Sequence, residues 1–283
     1  MKPIQNTIFG GLGFIGSHLC KSLKKDGLPY QIIGREDPLP TGNLGNVFYC
    51  AGITADFRSR PFDTIDAHIS TLSRVLKNRQ FSTFIYLSSA RLYRHSSLTN
   101  EDCKFIVDPL DLEDLVDISK LSGESLCLSM KNEKVRVVRL SNVFGEDYLS
   151  KNFLTDLIES ALVTGRIHLR SALVSSKDYV DVESVVSVIR NISERGKHRL
   201  YNVASGYNIS HQKIVFLLKD LTGCSVTVEE GAKALQWPII NIDRIIKNLI
   251  FNLSVFCISL KTWLMGIKAF CLKVACPQKP DPF

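Results

Sequence analysis

At 283 residues, 45% of them hydrophobic and 22% charged, the chain is long enough to bury one large core or two joined ones and too apolar to be disordered. Its eight cysteines form no C-x-x-C pair and no signal-peptide-like apolar run opens the sequence, which argues against a zinc site or a disulfide framework and for a reducing, cytoplasmic setting. The net charge of +7 is concentrated: from Gly231 onward seven lysines and arginines stand against Asp243 and Asp281, so the rest is nearly neutral and no nucleic-acid surface is expected.

In chain order, short apolar runs alternate with helix-length amphipathic stretches: "TIF" near Thr7, "QIIG" near Ile32, "NVFYCAG" near Phe48, "TFIYLSS" near Ile85 and "VRVVRLSN" near Val137. Continuous β-branched and aromatic runs of this kind predict parallel strands buried on both faces by helices. From about Phe144 the pattern loosens into helix "NFLTDLIESALVTG", strand "RIHLR", helix "VESVVSVIRNI", strand "HRLYNVAS" and helix "SHQKIVFLLKDLTG", as a smaller substrate-binding region would.

Between the first strand and first helix, "TIFGGLGFIGSHLCKSL" sets Gly10, Gly13 and Gly16 at three-residue spacing. Gly10 permits a tight turn, Gly13 lets the backbone approach a pyrophosphate, and Gly16 lets the helix pack closely on the strand. The opening residues of that helix, Phe14, Ile15 and Gly16, offer unpaired N–H groups to an anion.

"GGLGFIGSHL" resembles the opening of the extended short-chain dehydrogenase/reductase family, the NAD(P)-dependent nucleotide-sugar epimerases, dehydratases and reductases. The resemblance continues through "FYCAG", "YLSSARLY", "SKLSGE", "VVRLSNVFG", "SKDYVDVESVV" and "LYNVASG", covering residues 4–225. It implies an α/β fold with a Rossmann-like doubly wound parallel sheet: an NAD(P)-binding core over 1–145, rejoined by 175–200, and a smaller mixed region for a nucleotide-sugar substrate over 146–174 and 201–247. It also implies a homodimer, a place in surface polysaccharide synthesis, and a cofactor site that includes Ala51 and Gly52. For the coenzyme, an acid at the end of the second strand favours NAD, whereas an arginine suits the 2′-phosphate of NADP. Here "QIIGRED" places Gly34 at the acid position followed by Arg35, which tilts the expectation to NADP, although Glu36 and Asp37 pull the other way. Only about a dozen residues separate Asp37 from the next apolar run, so the family's third strand is expected to be contracted or absent.

At the reaction centre, the resemblance assigns Ser89 to the hydroxyl that binds the reacting alcohol and Lys120 to the lysine that holds the nicotinamide ribose and lowers the pKa of a tyrosine base. The tyrosine position, one turn before Lys120, is Val116. A side chain with no ionisable group cannot take the proton that must leave with the hydride. Three readings stand: an enzyme with an unorthodox base, a catalytically impaired binding paralogue, or a misaligned helix. Tyr93 is a substitute base or a structural tyrosine, and Asp117, about 100° around the helix from Val116, is expected to be solvated or capping, as is Asp114. Asn142 is a substrate contact or a strand-end residue satisfying loop backbone. Lys177 and Arg170 could meet a diphosphate but are expected to be solvated, and His68 is expected to serve packing or a polar network. In the tail, 248–283, the longest uncharged run, Asn248 to Leu260, is shorter than the roughly 18 residues a spanning helix needs. Lysines interleaved with Phe251, Phe256, Trp263 and Phe270 suit packing on the substrate region or a second subunit, or an interfacial helix touching anionic lipid.

Overall fold

A computed structural model describes residues 5–53, 55–78, 80–145 and 152–249; the tail beyond 249, with its expected packing or lipid contact, lies outside them. The chain runs β1 (Asn6–Phe9), α1 (Phe14–Lys25), β2 (Tyr30–Ile33), β3 (Asn46–Tyr49), α2 (Pro61–Ile65), a π-helical turn (Asp66–Ser70) and α3 (Thr71–Asn78). It continues through β4 (Thr83–Ser89), a 3-10 turn (Ala90–Tyr93), α4 (Asp114–Ser129), β5 (Val135–Leu140), β6 (Asn142–Phe144), α5 (Phe153–Glu159) and β7 (Arg166–Leu169). It ends with β8 (Ser176–Asp181), α6 (Val182–Arg195), β9 (Leu200–Val203), β10 (Asn208–Ser210), α7 (His211–Thr222), β11 (Ser225–Val228) and α8 (Asp243–Leu249).

Six strands form one parallel sheet in the order β2-β1-β3-β4-β5-β9. The strand order reverses between β1 and β3, which opens a crevice at their C-terminal ends, the usual ligand position in an open α/β sheet. The apolar runs behave as buried strands should: all four residues of β1 and all six of β5 are buried. One face is covered by α1 and α6, which bring Leu19, Leu23, Val185 and Ile189 onto Ile8, Ile85 and Val138. The other is covered by α3 and α4, with Leu72, Val75 and Cys127 on Tyr49, Phe84 and Val137. Helix α6 shows how local sequence serves this packing: Asp181 caps it by accepting the Ser184 N–H at 2.8 Å, and Val182, Val185, Val186, Ile189 and Ile192 recur at helical spacing on its buried face.

Two details bear on the site. β2 is the edge of the sheet, and residues 34–45 form no strand, so the contracted third strand is replaced by irregular chain. β9, buried at all four positions, pairs with β5 through Val137↔Leu200 to Leu140↔Val203 and is the last strand of the main sheet. The smaller region consists of β10-β8-β6, with β8 antiparallel to β10 and parallel to β6, and of the β11–β7 pair.

Candidate cofactor and reaction site

The first half of the site follows from missing side chains. Gly10 has φ +75, and a Cβ there would lie 2.7 Å from the Ala51 backbone nitrogen, so glycine is required both for the turn and for the approach of the chain leaving β3. A Cβ on Gly16 would fall on the Gly10 carbonyl oxygen, which is the close helix–strand packing expected of it. Gly11, which the motif spacing does not single out, has the same need: its Cβ would lie 2.8 Å from the Ile32 side chain. Gly13 is the N-cap of α1, with no side-chain cap and no acid in the first turn. The N–H groups of Phe14, Ile15 and Gly16 are therefore left to an anion, favoured there by the helix dipole.

Beside this loop is a cleft of about 450 Å³ lined by Gly10, Gly11, Ile32, Gly34, Arg35, Asp37, Ala51, Gly52, Asp66 and Arg74, among others. Bare glycine backbone, an uncapped helix start and an adjoining apolar-walled cleft fit the pyrophosphate and adenosine half of a dinucleotide. Of the expected cofactor residues, Gly10, Arg35, Ala51 and Gly52 line the cleft, while Gly13, Phe14, Ile15 and Gly16 form the helix start beside it; Ser89, Lys120 and Asn142 are not in its lining. Arg35 is half-exposed, with Nη1 3.3 Å from Asp63 Oδ2.

The second half is built where β4 meets α4. Lys120 is buried, and its Nζ donates to the Leu87 carbonyl at 2.8 Å, two residues before Ser89, while resting 5.3 Å over the Tyr86 ring. Among the described residues no carboxylate forms an ion pair with it; Glu124, one turn further, is bound by Arg139 at 2.6 Å. Burial, only partly opposed by Glu124 and Cys50, lowers the Lys120 pKa to about 8. Ser89 Oγ accepts the Arg91 N–H at 3.1 Å, and the neighbouring Ser88 Oγ is buried with no hydrogen-bond partner among the described residues.

Val116 is buried in the first turn of α4, and α4 contains no tyrosine. Tyr93 is fully buried: its hydroxyl donates to Asn202 Oδ1 and accepts from Arg139 Nη1, both at 2.8 Å, and burial pushes its pKa up to about 12. Such a phenol is committed to the core. Asp117, expected to be solvated or capping, is instead buried and held by Arg91 at 3.1 Å; burial raises its pKa to about 6 against the pull of Arg91 and Arg94. Arg91 and Arg94, from the turn after β4, cover the start of α4, which helix geometry alone could not reveal. Asp114 is likewise buried and paired with Arg94.

His68, expected to serve packing or a polar network, is buried in such a network. His68, on the π-helical turn, accepts the Ile53 N–H at Nε2 (3.2 Å), which leaves its ring proton on Nδ1 to donate to Ser119 Oγ at 2.7 Å. That hydroxyl then donates to the Val116 carbonyl at 2.8 Å. Burial and the nearby Lys120 drive the His68 pKa down to about 2, so the ring stays neutral. Gly52 makes the room: its Cβ would lie 2.9 Å from His68 Nε2 and 3.2 Å from Lys120 Nζ. The elements meet only through the fold, so no motif announces them.

On the far side, Asn142 is exposed at the start of β6 and donates to the Asp178 carbonyl at 2.8 Å, tying β6 to β8. Arg170 is exposed. Lys177 departs from its expected solvation: it is half-buried, its ammonium 5.6 Å over Phe153 and 5.5 Å over Trp237, with its pKa lowered by burial and by the charge of Arg91.

An open parallel sheet with a glycine cradle at its switch point, a buried lysine beside the end of β4 and a smaller mixed region opposite defines a dinucleotide-binding protein of the short-chain dehydrogenase type. The sequence model of the NAD dependent epimerase/dehydratase family matches residues 45–204, more than half of the chain. The chain belongs to that family. It is 26% identical over 149 residues to dTDP-glucose 4,6-dehydratase of Streptomyces griseus, a match covering 50% of this chain and 44% of that protein, so it spans less than half of that relative. It is 24% identical over 281 residues to the uncharacterized UDP-glucose epimerase YtcB of Bacillus subtilis strain 168, covering 82% of this chain and 86% of the other. Among solved structures it is similar to UDP-glucuronic acid 4-epimerase from Bacillus cereus in complex with UDP-glucuronic acid and NAD, with a TM-score of 0.78, 20% identity, and 96% and 100% of the two chains covered. At that identity the likeness establishes the fold. No helix among the described residues is long and apolar enough to cross a membrane.

Proposed function

We propose that the chain binds a nicotinamide dinucleotide along the C-terminal edge of the main sheet and a nucleotide-linked sugar between that edge and the smaller region, and that its turnover is strongly impaired. The observation that carries the reading is the pairing of an intact cradle, Gly10 to Gly16 with an uncapped α1, with a first turn of α4 that offers valine where a base is needed. A bound nicotinamide supplies reversible hydride acceptance; the chain has to supply position and a proton acceptor. Ser89 is proposed to hold the reacting hydroxyl and Lys120 the ribose. Lys177, a cation with no carboxylate partner among the described residues, is suited to a sugar nucleotide's diphosphate through charge-assisted hydrogen bonds, and Asn142 lies on the neighbouring strand of the same sheet. Residues 146–174 and 201–247, apart from the main-sheet strand β9, are the proposed substrate-binding region. The homodimer implied by the resemblance belongs to the same reading.

Positioned acid–base groups commonly contribute about 10²–10⁴-fold to rate, and that is the deficit expected from Val116. The test is calorimetry with pyridine coenzymes followed by a turnover screen against UDP-, GDP- and dTDP-sugars. Coenzyme binding with negligible turnover, and a gain of about 10²-fold or more in Val116→Tyr, supports the proposal. Ordinary turnover of the unaltered protein removes the impairment, and no coenzyme binding removes the whole reading. A second reading, an active enzyme with a substitute base, draws on Asp117, whose carboxyl titrates at about 6 one residue past Val116. It requires that turnover by the unaltered protein be lost in Asp117→Asn.

A further inference from the structure

We infer that the cleft selects the coenzyme that lacks a 2′-phosphate, and that Asp37, three residues beyond the end of β2, makes the selection. The inference rests on the dinucleotide reading above and deepens it. Gly10 and Gly34 lie side by side where β1 and β2 end: β1 and β2 pair up to Phe9↔Ile33, and the Gly10 N–H donates to the Ile33 carbonyl at 3.4 Å. An acidic residue ending β2 would begin at the Gly34 Cβ position. That position lies 3.0 Å from Asp37 Oδ2 and 3.6 Å from Oδ1. The chain therefore folds back and sets a carboxylate where the absent side chain would stand. The fold-back is built locally: Asp37 Oδ2 accepts the Gly34 N–H at 2.7 Å, and Pro38 biases Asp37 toward extended backbone. A carboxylate there accepts hydrogen bonds from a ribose diol and repels a phosphate.

Four charged side chains line the cleft, Arg35, Arg74, Asp37 and Asp66. Arg35, the residue that favours NADP in the sequence, is engaged by Asp63, which also takes Arg60 at 2.7 Å. Arg74 donates to Thr71 Oγ1 at 3.0 Å on its own helix. Neither arginine is bonded to Asp37; Arg35 is paired with Asp63 and Arg74 with Thr71.

The test is titration of the full chain with NADH and with NADPH, repeated on Asp37→Asn and Arg35→Ala. Asparagine keeps an acceptor for the Gly34 N–H and removes only the charge. The expected result is NADH binding about tenfold or more tighter than NADPH, as suits a charged hydrogen bond, a ratio that narrows toward unity in Asp37→Asn and persists in Arg35→Ala. Equal or tighter NADPH binding overturns the inference while leaving the dinucleotide reading intact, and so does a ratio unmoved in Asp37→Asn, which marks a purely structural turn. Binding of neither coenzyme overturns both.

Discussion

Lys120 is held in the ligand-free protein at a cost to stability, and that cost can be measured. Its pKa falls from 10.5 to about 8, and about 1.36 kcal/mol per pKa unit makes the burial of its charge worth about 3 kcal/mol against folding at neutral pH. The sign follows from proton counting. Between about pH 8 and 10.5 the unfolded chain binds more protons at this site than the folded one, so the cost is complete below that window and disappears as pH rises through it. Replacement by methionine removes the charge, keeps the stem, and gives up the bond to the Leu87 carbonyl, a loss of about 1 kcal/mol. Lys120→Met should therefore be about 2 kcal/mol more stable than the unaltered protein at pH 7, raising Tm by about 4 °C for a chain of this size. The advantage should shrink to nothing by about pH 10. The assay is thermal unfolding of both proteins, without ligand, from pH 6 to 10. A lower Tm for Lys120→Met at pH 7, or a gain that does not change with pH, would refute the claim that this lysine is strained by desolvation. With saturating coenzyme the order should reverse if Lys120 holds the ribose as proposed, because ligand-linked stabilisation would then depend on a contact that methionine lacks.

Two further outcomes test the frame around the site. Gly16→Ala drives a methyl group onto the Gly10 carbonyl and should cost more than about 2 kcal/mol, seen as a lowered denaturant midpoint; an unchanged midpoint means that α1 does not press on the loop. Arg139→Met strands the buried Glu124 carboxylate and should cost about 3–5 kcal/mol, much of it recovered when Glu124→Gln is added, since replacing both partners of a buried pair is far less costly than removing one.

The strands of the main sheet are legible because burial on both faces leaves short runs dense in β-branched and aromatic residues, as in "VRVVRL" and "TFIYLSS". The glycine loop is legible because its requirement is local: φ at Gly10 and contact between residues six apart. What the sequence hides is set by partners brought from a distance. Lys177 looks like a surface lysine until Phe153 and Trp237 close over it. Asp117 is a quarter-turn from Val116 and reads as solvated, but Arg91 and Arg94 arrive from the turn after β4 and bury it. The Asp37 fold-back falls between, since a hydrogen bond three residues long is local, yet its meaning depends on the vacant position at Gly34 and on the neighbouring loop.

These long-range contacts decide what a valine at position 116 would mean for the proposed reaction. A nearby tyrosine offers no rescue, because Tyr93 shares its hydroxyl between Asn202 and Arg139, and Arg139 is committed to Glu124; moving that phenol toward the site would uncover a buried charge. Asp117 is similarly restrained by Arg91. Lys120 is then left as a desolvated cation bonded to a carbonyl and set over an aromatic face, near the neutral His68 and only partly compensated by Glu124 and Cys50. Such a group gains most from a ligand that brings hydrogen-bond acceptors to it, so the site's capacity to bind can outlast its capacity to transfer a proton.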